Sequence, residues 1–470
     1  MRFRLIWFAS LAAILLAGFI ACQPEGKTQQ WNILFILADD LGWNQVGYHG
    51  VDFYETGNID QIASQGIYFT NAYASDPVCS PTRAGIMTGK HPARLHLTDY
   101  IPGSPYPYAR LSTPRQVAAL PLEEVTIAEK LKEGGYITGH FGKWHLSPDK
   151  HYKPGRPFDP GSQGFDVVLT TVKPEPDADP EKDAHHTIEI TDHALDFIEK
   201  YKDKPFFCYV AYHAVHRPLH EHADLIAKYK NKPGSDLPVN NPIMGAMIER
   251  MDTGIGQLIQ KLADLGLTDK TMVIFYSDNG GFEQLQDQAP LRGGKAMVFE
   301  GGIRVPLAIK WPGVISAGRR SEALVTSEDF FPTIMEATGV SYSKENLDGY
   351  SLLPILKGTG MIDRTALFFH YPHYHHLGYK PSGAIRQGDY KLIEWFEQTL
   401  TNTGTQVNLY NLKDDIGEEH DLAGQMPEKA AEMRKELHDW QDRLNVQKMT
   451  VNPNYDPAKA NWRFKDSENE

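Results

Sequence analysis

Apolar and polar positions alternate in two regimes along this chain. From Asn32 to about Gly360, short apolar runs are interleaved with stretches of helical period. Asn32 to Leu37, Ile67 to Phe69, Tyr136 to His140, Phe206 to Tyr212 and Thr271 to Tyr276 read as strands. Gly57 to Gly66, Val125 to Lys132, Thr187 to Lys200 and Asn241 to Leu265 carry apolar residues at helical spacing, with Ile59, Ile62 and Ala63 on one face of the first. A further helix begins near Pro81. Strands alternating with helices predict an α/β domain, a largely parallel sheet covered on both faces. After Gly360 come short strands, Ala366 to Tyr371, Gly383 to Arg386, Tyr390 to Phe396 and Val407 to Leu412, then a helix over Glu428 to Leu444. This predicts a smaller α+β subdomain built on an antiparallel sheet. The expected division is a main domain over 32–360, the subdomain over 361–450 and a loosely ordered tail over 451–470.

The first residues read as an address. Arg2 and Arg4 precede an apolar run from Leu5 to Ala21, Cys22 follows at once, and a polar stretch leads to Trp31. A charged start, an apolar middle and a small residue before the cut describe a secretory signal peptide over residues 1–21. Phe19-Ile20-Ala21-Cys22 resembles a bacterial lipobox, with Phe19 where leucine is usual. The resemblance implies lipidation of Cys22, with 22–31 as a tether; the alternative is an uncleaved anchor, since the run reaches the lower edge of spanning length. The expectation is an exported protein, in the periplasm or at the cell surface, tethered to the outer membrane by its lipid alone.

Composition narrows the field. With 41% hydrophobic and 23% charged residues among 470, the chain is globular, neither disordered nor a multi-span membrane protein. Three cysteines build no disulfide framework, and no paired CxxC suggests zinc. A formal net charge of -13 makes a poor binder of nucleic acid or anionic membrane. An anionic substrate would need positive charge gathered in one place.

Two of the strands end in acids or amides, Asp39-Asp40 after the first and Asp278-Asn279 after Thr271 to Tyr276. Ligands collect at the carboxyl ends of strands in open α/β sheets. Adjacent aspartates there repel unless a cation holds them, and oxygen donors select calcium or magnesium. Either pair alone reads equally as turn or cap chemistry. Between them in sequence lies Cys79-Ser80-Pro81-Thr82-Arg83-Ala84-Gly85-Ile86-Met87-Thr88-Gly89. Ser80 fits an N-cap and Pro81 a first helical position, which sets Cys79 at a helix N-terminus. A cysteine there is either a reactive thiol or an inert buried one.

Cys-x-Pro-x-Arg followed by Thr-Gly, from Cys79 to Gly89, resembles the signature of the type I, formylglycine-dependent sulfatases. Gly142-Lys143-Trp144-His145-Leu146, His216-Arg217-Pro218, Asp278-Asn279-Gly280, Gly294-Lys295 and Glu300-Gly301-Gly302-Ile303-Arg304-Val305-Pro306 are similar to that family's other segments, so that the likeness runs from Asn32 to Ala423. It implies an alkaline-phosphatase-like mixed sheet sandwiched by helices. It also implies oxidation of Cys79 to Cα-formylglycine (3-oxoalanine) by a formylglycine-generating or anaerobic sulfatase-maturating enzyme, and one calcium ion held by Asp39, Asp40, Asp278, Asn279 and a hydroxyl of residue 79. Arg83, Lys143, His145, His216 and Lys295 match its pocket residues, with Lys143, His216 and Lys295 facing the substrate. A further pocket serine has no clear counterpart, and Thr170 or Thr171 is the candidate.

This set suits hydrolysis of a sulfate monoester. A divalent cation with Lys143, Lys295 and His216 would neutralise and orient the sulfate, His145 would take a proton, and Lys295 or His216 would protonate the leaving oxygen. The resulting expectation is a sulfatase acting on a sulfated carbohydrate, with algal ulvan or carrageenan and glycosaminoglycans as candidates. The rivals are a phosphodiesterase or phosphonate monoester hydrolase of the same superfamily, and a non-catalytic binder of sulfated glycans. The His/Tyr-rich run from His370 to His376 is either a substrate subsite, with His373 as its contact, or a partly buried loop. Cys208 reads as a core residue.

Overall fold

The computed structural model describes residues 30–148, 156–377 and 379–460. The leader, the lipobox with Cys22, and residues 461–470 lie outside them.

Eight strands form the main sheet: β1 (Asn32–Ala38), β2 (Ile67–Phe69), β3 (Ile137–Gly142), β4 (Val167–Thr170), β5 (Phe206–Ala211), β6 (Thr271–Ser277), β7 (Leu307–Lys310) and β8 (Arg319–Ser321). Their spatial order is β8-β2-β7-β6-β1-β5-β3-β4. Only β7 runs against its neighbours, pairing antiparallel with β2 and β6, so the sheet is mixed. At the centre β1 lies parallel between β5 and β6, with Phe35 opposite both Tyr209 and Ile274. All residues of β1, β5 and β6 are buried, as expected of strands covered on both faces.

The alternation along β1 splits the core in two. Ile33, Phe35 and Leu37 pack against α2 (Cys79–Thr88), α3 (Ile127–Glu133) and α6 (Phe330–Thr338). Leu34, Ile36 and Ala38 pack on the other side against α1 (Gly57–Ser64), α4 (Thr187–Tyr201) and α5 (Pro242–Asp264). Local sequence fixes where these helices start. Thr126 and Glu129 form a reciprocal capping box on α3, and the Asn241 side chain accepts from the amides of Ile243 and Met244 ahead of α5.

The C-terminal strands β9 (Ala366–Tyr371), β10 (Ser382–Gln387), β11 (Tyr390–Trp395) and β12 (Val407–Asn411) form an antiparallel sheet in chain order. One face packs under α7 (Pro427–Leu444) through Ile385, Leu392, Met433, Leu437 and Trp440. The other packs Leu367, Phe369 and Ile393 against Val78, Ala296 and Ile303 of the main domain. The start of the expected tail is docked rather than loose. Thr450 and Val451 pair with Leu111 and Ser112, and buried Asn452 donates its side-chain amide to the carbonyls of Pro107 and Ala109. Among the described residues no helix is long and apolar enough to cross a membrane.

Candidate active site

The carboxyl ends of β1 and β6 bring Asp39, Asp40, Asp278 and Asn279 together. The Asp278 amide donates to the Ala38 carbonyl, and the Asp40 amide to Asp278 Oδ1 at 3.2 Å. The main chain of Asp39 is tied to Ala214 and Val215 after β5, its N–H donating and its carbonyl accepting. Asp40 turns out of the strand in the left-handed region (φ 61), which non-glycine residues seldom adopt. All three aspartates are buried.

Helix α2 enters this cluster at its first turn, and all ten of its residues are buried. It begins at Cys79, two residues earlier than the sequence suggests, and has no side-chain cap. Ser80 is not the N-cap, because its Oγ accepts the amide of Ile101 instead. Pro81 therefore sits at the third helical position, still within the first turn, where a missing N–H costs no helical bond. Cys79 and Arg83 are four residues apart and share one face. Arg83 donates from Nε to Asp278 Oδ2 at 2.8 Å and from a terminal nitrogen to the Lys143 carbonyl at 2.7 Å. The Cys79 Sγ, Asp39 and Asp278 donor atoms all lie within 4.8 Å of one another.

The end of β3 supplies Lys143 and His145. Gly142 (φ 109) precedes them because a Cβ there would meet the Ala211 carbonyl at 2.0 Å. Lys143 Nζ reaches Asp39 Oδ2 at 2.6 Å. His145 Nδ1 lies 3.3 Å from Cys79 Sγ, while its Nε2 is 2.8 Å from the Ile101 carbonyl. A carbonyl only accepts, so Nε2 carries the proton and Nδ1 presents a lone pair to residue 79. Burial, with the Lys143 and Arg83 charges, holds His145 at about 3, neutral at ordinary pH.

Opposite these, Lys295 contacts both oxygens of Asp40, at 2.6 and 2.7 Å. Its amide donates to the Gly281 carbonyl, and the next amide, of Ala296, to the Pro77 carbonyl. The lysine loop is thus sewn to the loops bearing Asn279 and Cys79. His216 sets Nε2 3.7 Å from Asp40 Oδ2, and its Nδ1 donates to the Arg217 carbonyl at 2.5 Å. Burial and then the Lys295 charge lower it to about 3.

The donor set fits a hard cation. Burial raises carboxylates, yet Lys143, His216 and Arg83 hold Asp39 well below its usual range. Asp278 goes the other way, pushed up by burial and by Asp39 despite Arg83. Two buried oxygens aimed into the cluster, Asp39 Oδ1 and Asn279 Oδ1, have no hydrogen-bond partner, a costly arrangement that oxygen coordination would relieve.

The sequence-predicted residues therefore converge, except one. His373 is buried, hydrogen-bonded through Nε2 to Thr98 Oγ1 at 2.8 Å and kept neutral by burial at about 3. Burial is continuous from His370 to His375, and the His373 ring is enclosed between Thr98 and Asp99 instead of joining the acid cluster. His370 is likewise buried, against the Gln447 carbonyl. Of the two threonine candidates, Thr171 hydrogen-bonds His213 at 2.9 Å, whereas Thr170 Oγ1 meets no partner. The Ile101 carbonyl was not anticipated, because a main-chain acceptor leaves no mark in side-chain patterns. Cys208 lies inside β5, with burial raising its thiol.

Comparison with known proteins agrees with this geometry. The family model described as Sulfatase matches residues 31–340, and one described as N-sulphoglucosamine sulphohydrolase, C-terminal, matches 294–447. Arylsulfatase A of Homo sapiens is 31% identical, the alignment covering 88% of this chain and 86% of that protein. N-acetylgalactosamine-6-sulfatase of Homo sapiens is 32% identical over 73% of this chain and 69% of its own length. The crystal structure of Ps i-CgsB in complex with k-i-k-neocarrahexaose superposes with a TM-score of 0.75 at 26% identity, covering 94% of this chain and 98% of that one. With the acid cluster, the Cys79 helix and the basic wall in one place, the chain belongs to the sulfatase family and is a sulfuric ester hydrolase of alkaline-phosphatase-like fold.

Proposed function

We propose that this protein removes sulfate from a sulfated carbohydrate, using residue 79 as a Cα-formylglycine and one calcium ion. The observation that carries the reading is Cys79 at the first turn of α2, with a fixed-tautomer imidazole at 3.3 Å on one side and the Asp39–Asp278 cluster on the other. A saccharide substrate is supported by relatives and neighbours named for such compounds, among them N-acetylgalactosamine-6-sulfatase and the neocarrahexaose complex.

Asp39, Asp40, Asp278 and Asn279 would hold the calcium, which supplies positive charge against the sulfate oxygens. As a hydrated aldehyde, residue 79 supplies a nucleophilic oxygen for sulfur and a second hydroxyl that lets sulfate leave without another attack by water. His145 Nδ1 takes the proton from that side chain, its ring held by the Ile101 carbonyl. Lys143 and Lys295 neutralise charge that grows on the sulfate oxygens. Arg83 joins Asp278 to the Lys143 carbonyl and so fixes one pocket wall to the other. Lys295 is the better proton donor for the leaving sugar oxygen. Its ammonium keeps a third N–H beyond the two that face Asp40, whereas His216 commits its one proton to the Arg217 carbonyl. From the sequence alone we further propose export and lipid anchoring at Cys22.

Protein made alongside a maturation enzyme should yield an aldehyde in the peptide bearing residue 79, by mass spectrometry, and should turn over aryl sulfate or sulfated oligosaccharides. A Cys79→Ala variant is expected to lose at least about a thousandfold in kcat. An unmodified thiol beside an active maturation control, or a Cys79→Ala protein of full activity, overturns the reading.

A further inference from the structure

Four loops meet at the rim next to His216 and Lys295, and they carry groups that the sulfate chemistry does not use. Arg217 follows His216 directly. Its guanidinium lies 5.0 Å from the Phe282 ring centre and bonds His376 Nε2 at 3.1 Å, the imidazole accepting. The His376 ring packs on His375 with centroids 4.1 Å apart, and Tyr100 meets both rings edge-on, at 5.8 and 6.4 Å. Tyr379 stacks on His375 with centroids 6.4 Å apart. The loop is thus aromatic, with half-buried Tyr100, His376 and Tyr379 around the buried His375 ring and one cation set beside them.

No carboxylate among the described residues neutralises that cation. The partners of Arg217 are a ring face and an accepting imidazole. In a chain of net charge -13, other half-buried arginines pair with acids, as Arg94 does with Asp348 and Arg250 with Glu221, or fill their donors with main-chain carbonyls, as Arg319 does with Ile355 and Leu356. The loop also adjoins the sulfate pocket. Burial, then His376, then the Lys295 and Arg217 charges hold His375 well below its usual range, so both cations act on the same buried ring.

We propose that Arg217, backed by Phe282 and His376, is a second anion subsite that binds another negative group on the sugar bearing the scissile sulfate or on its neighbour. The substrate is then a polyanionic saccharide, its second charge a carboxylate or another sulfate. This rests on the sulfatase reading for the first anion, and it assigns specificity to half-buried Arg217 and His376 instead of to His373. A planar guanidinium suits both groups because each offers paired oxygens to its fork.

The test is binding, separate from turnover. Full-length Cys79→Ala protein is titrated calorimetrically with three probes: a disaccharide whose only charge is one sulfate, the same disaccharide with a second sulfate, and a monosulfated disaccharide carrying a uronate. One of the two doubly charged probes should bind about tenfold or more tighter than the singly charged one, the value of one charge-assisted contact. Which one does so identifies the second group. Adding Arg217→Gln should shrink that ratio to about twofold, and Arg217→Lys should restore part of it. Equal affinity for all three probes, no binding at all, or a preference that survives Arg217→Gln overturns the subsite. The sulfatase reading fails by a different result, namely no turnover of any sulfate ester by protein whose residue 79 is shown to be an aldehyde.

Discussion

At the scale of single residues, the interior holds imidazoles neutral, and this has a measurable price in acid. His140 is fully buried in β3, in the midst of Trp144, Phe165 and Tyr209. Burial, aided by the Arg83 charge, lowers it to about 3. An unfolded histidine takes up a proton below about pH 6.5, and the folded one does not until about 3. The unfolded chain therefore binds more protons throughout that window, and stability is lost as pH falls through it. One such residue costs about 2 kcal/mol between pH 7.5 and 5.0. His140→Phe keeps the ring and removes the titration. In urea unfolding, the drop in stability over that pH interval should be about 2 kcal/mol smaller in the variant than in the parent. An unchanged drop would show that His140 protonates without unfolding.

At the scale of elements, the C-terminal sheet is locked to the segment that carries Lys295. Lys391 of β11 is completely buried and reaches Glu300 at 3.0 Å and Glu418 at 2.9 Å. Glu300, which also accepts from Tyr73 and Arg304, lies five residues beyond Lys295. Removing one partner of such a group leaves charge stranded, at a cost of about 3–5 kcal/mol. Burial already pushes Glu418 up to about 7 against the pull of Lys391, with the Glu300 charge adding to it. A carboxyl raised in the folded state gains stability as pH falls below its folded value, since only the folded form then holds the proton. Lys391→Met should therefore lose about 3–5 kcal/mol at pH 8 and recover part of it at pH 6, measured by urea unfolding at each pH. An equal deficit at both values would count against a stranded carboxylate. Nothing in the sequence marks this triad, because its members stand far apart and each looks like an ordinary surface residue. Strands β1, β5 and β6 were legible as continuous apolar runs, and the acids at their ends followed. Strand β7 was not: Leu307–Lys310 is short and follows a proline, so neither length nor period sets it apart, and with it went the antiparallel step in the sheet. Arg83 followed from the likeness of Cys79 to Gly89 to the sulfatase signature, whereas around His373 a histidine-rich loop shows its composition and not which rings turn inward.

At the scale of the whole molecule, folding gathers the site from distant stretches of chain. Asp40 and Asp278 are 238 positions apart, Arg83 arrives on α2, and Lys143 and Lys295 come from two further loops. Three buried aspartates face three buried cations here, and still Asp39 Oδ1 and Asn279 Oδ1 are left without partners while burial pushes Asp278 upward. An ion that satisfies those oxygens binds only where both strand ends are in place, so its binding free energy adds to the stability of the fold. At a free concentration a hundred times its dissociation constant the gain is about 2.7 kcal/mol. Thermal unfolding should move to lower temperature on chelation and return with added calcium, climbing with the logarithm of its concentration. Magnesium, smaller and slower to shed water, should restore less. Asn279→Ala takes away one of the unpartnered oxygens without altering the charge, and should reduce the calcium-dependent rise. If neither Tm nor sulfate release responds to a chelator that strips calcium from a control protein, the ends of β1 and β6 are held by Arg83, Lys143 and Lys295 alone, and the site works without the ion.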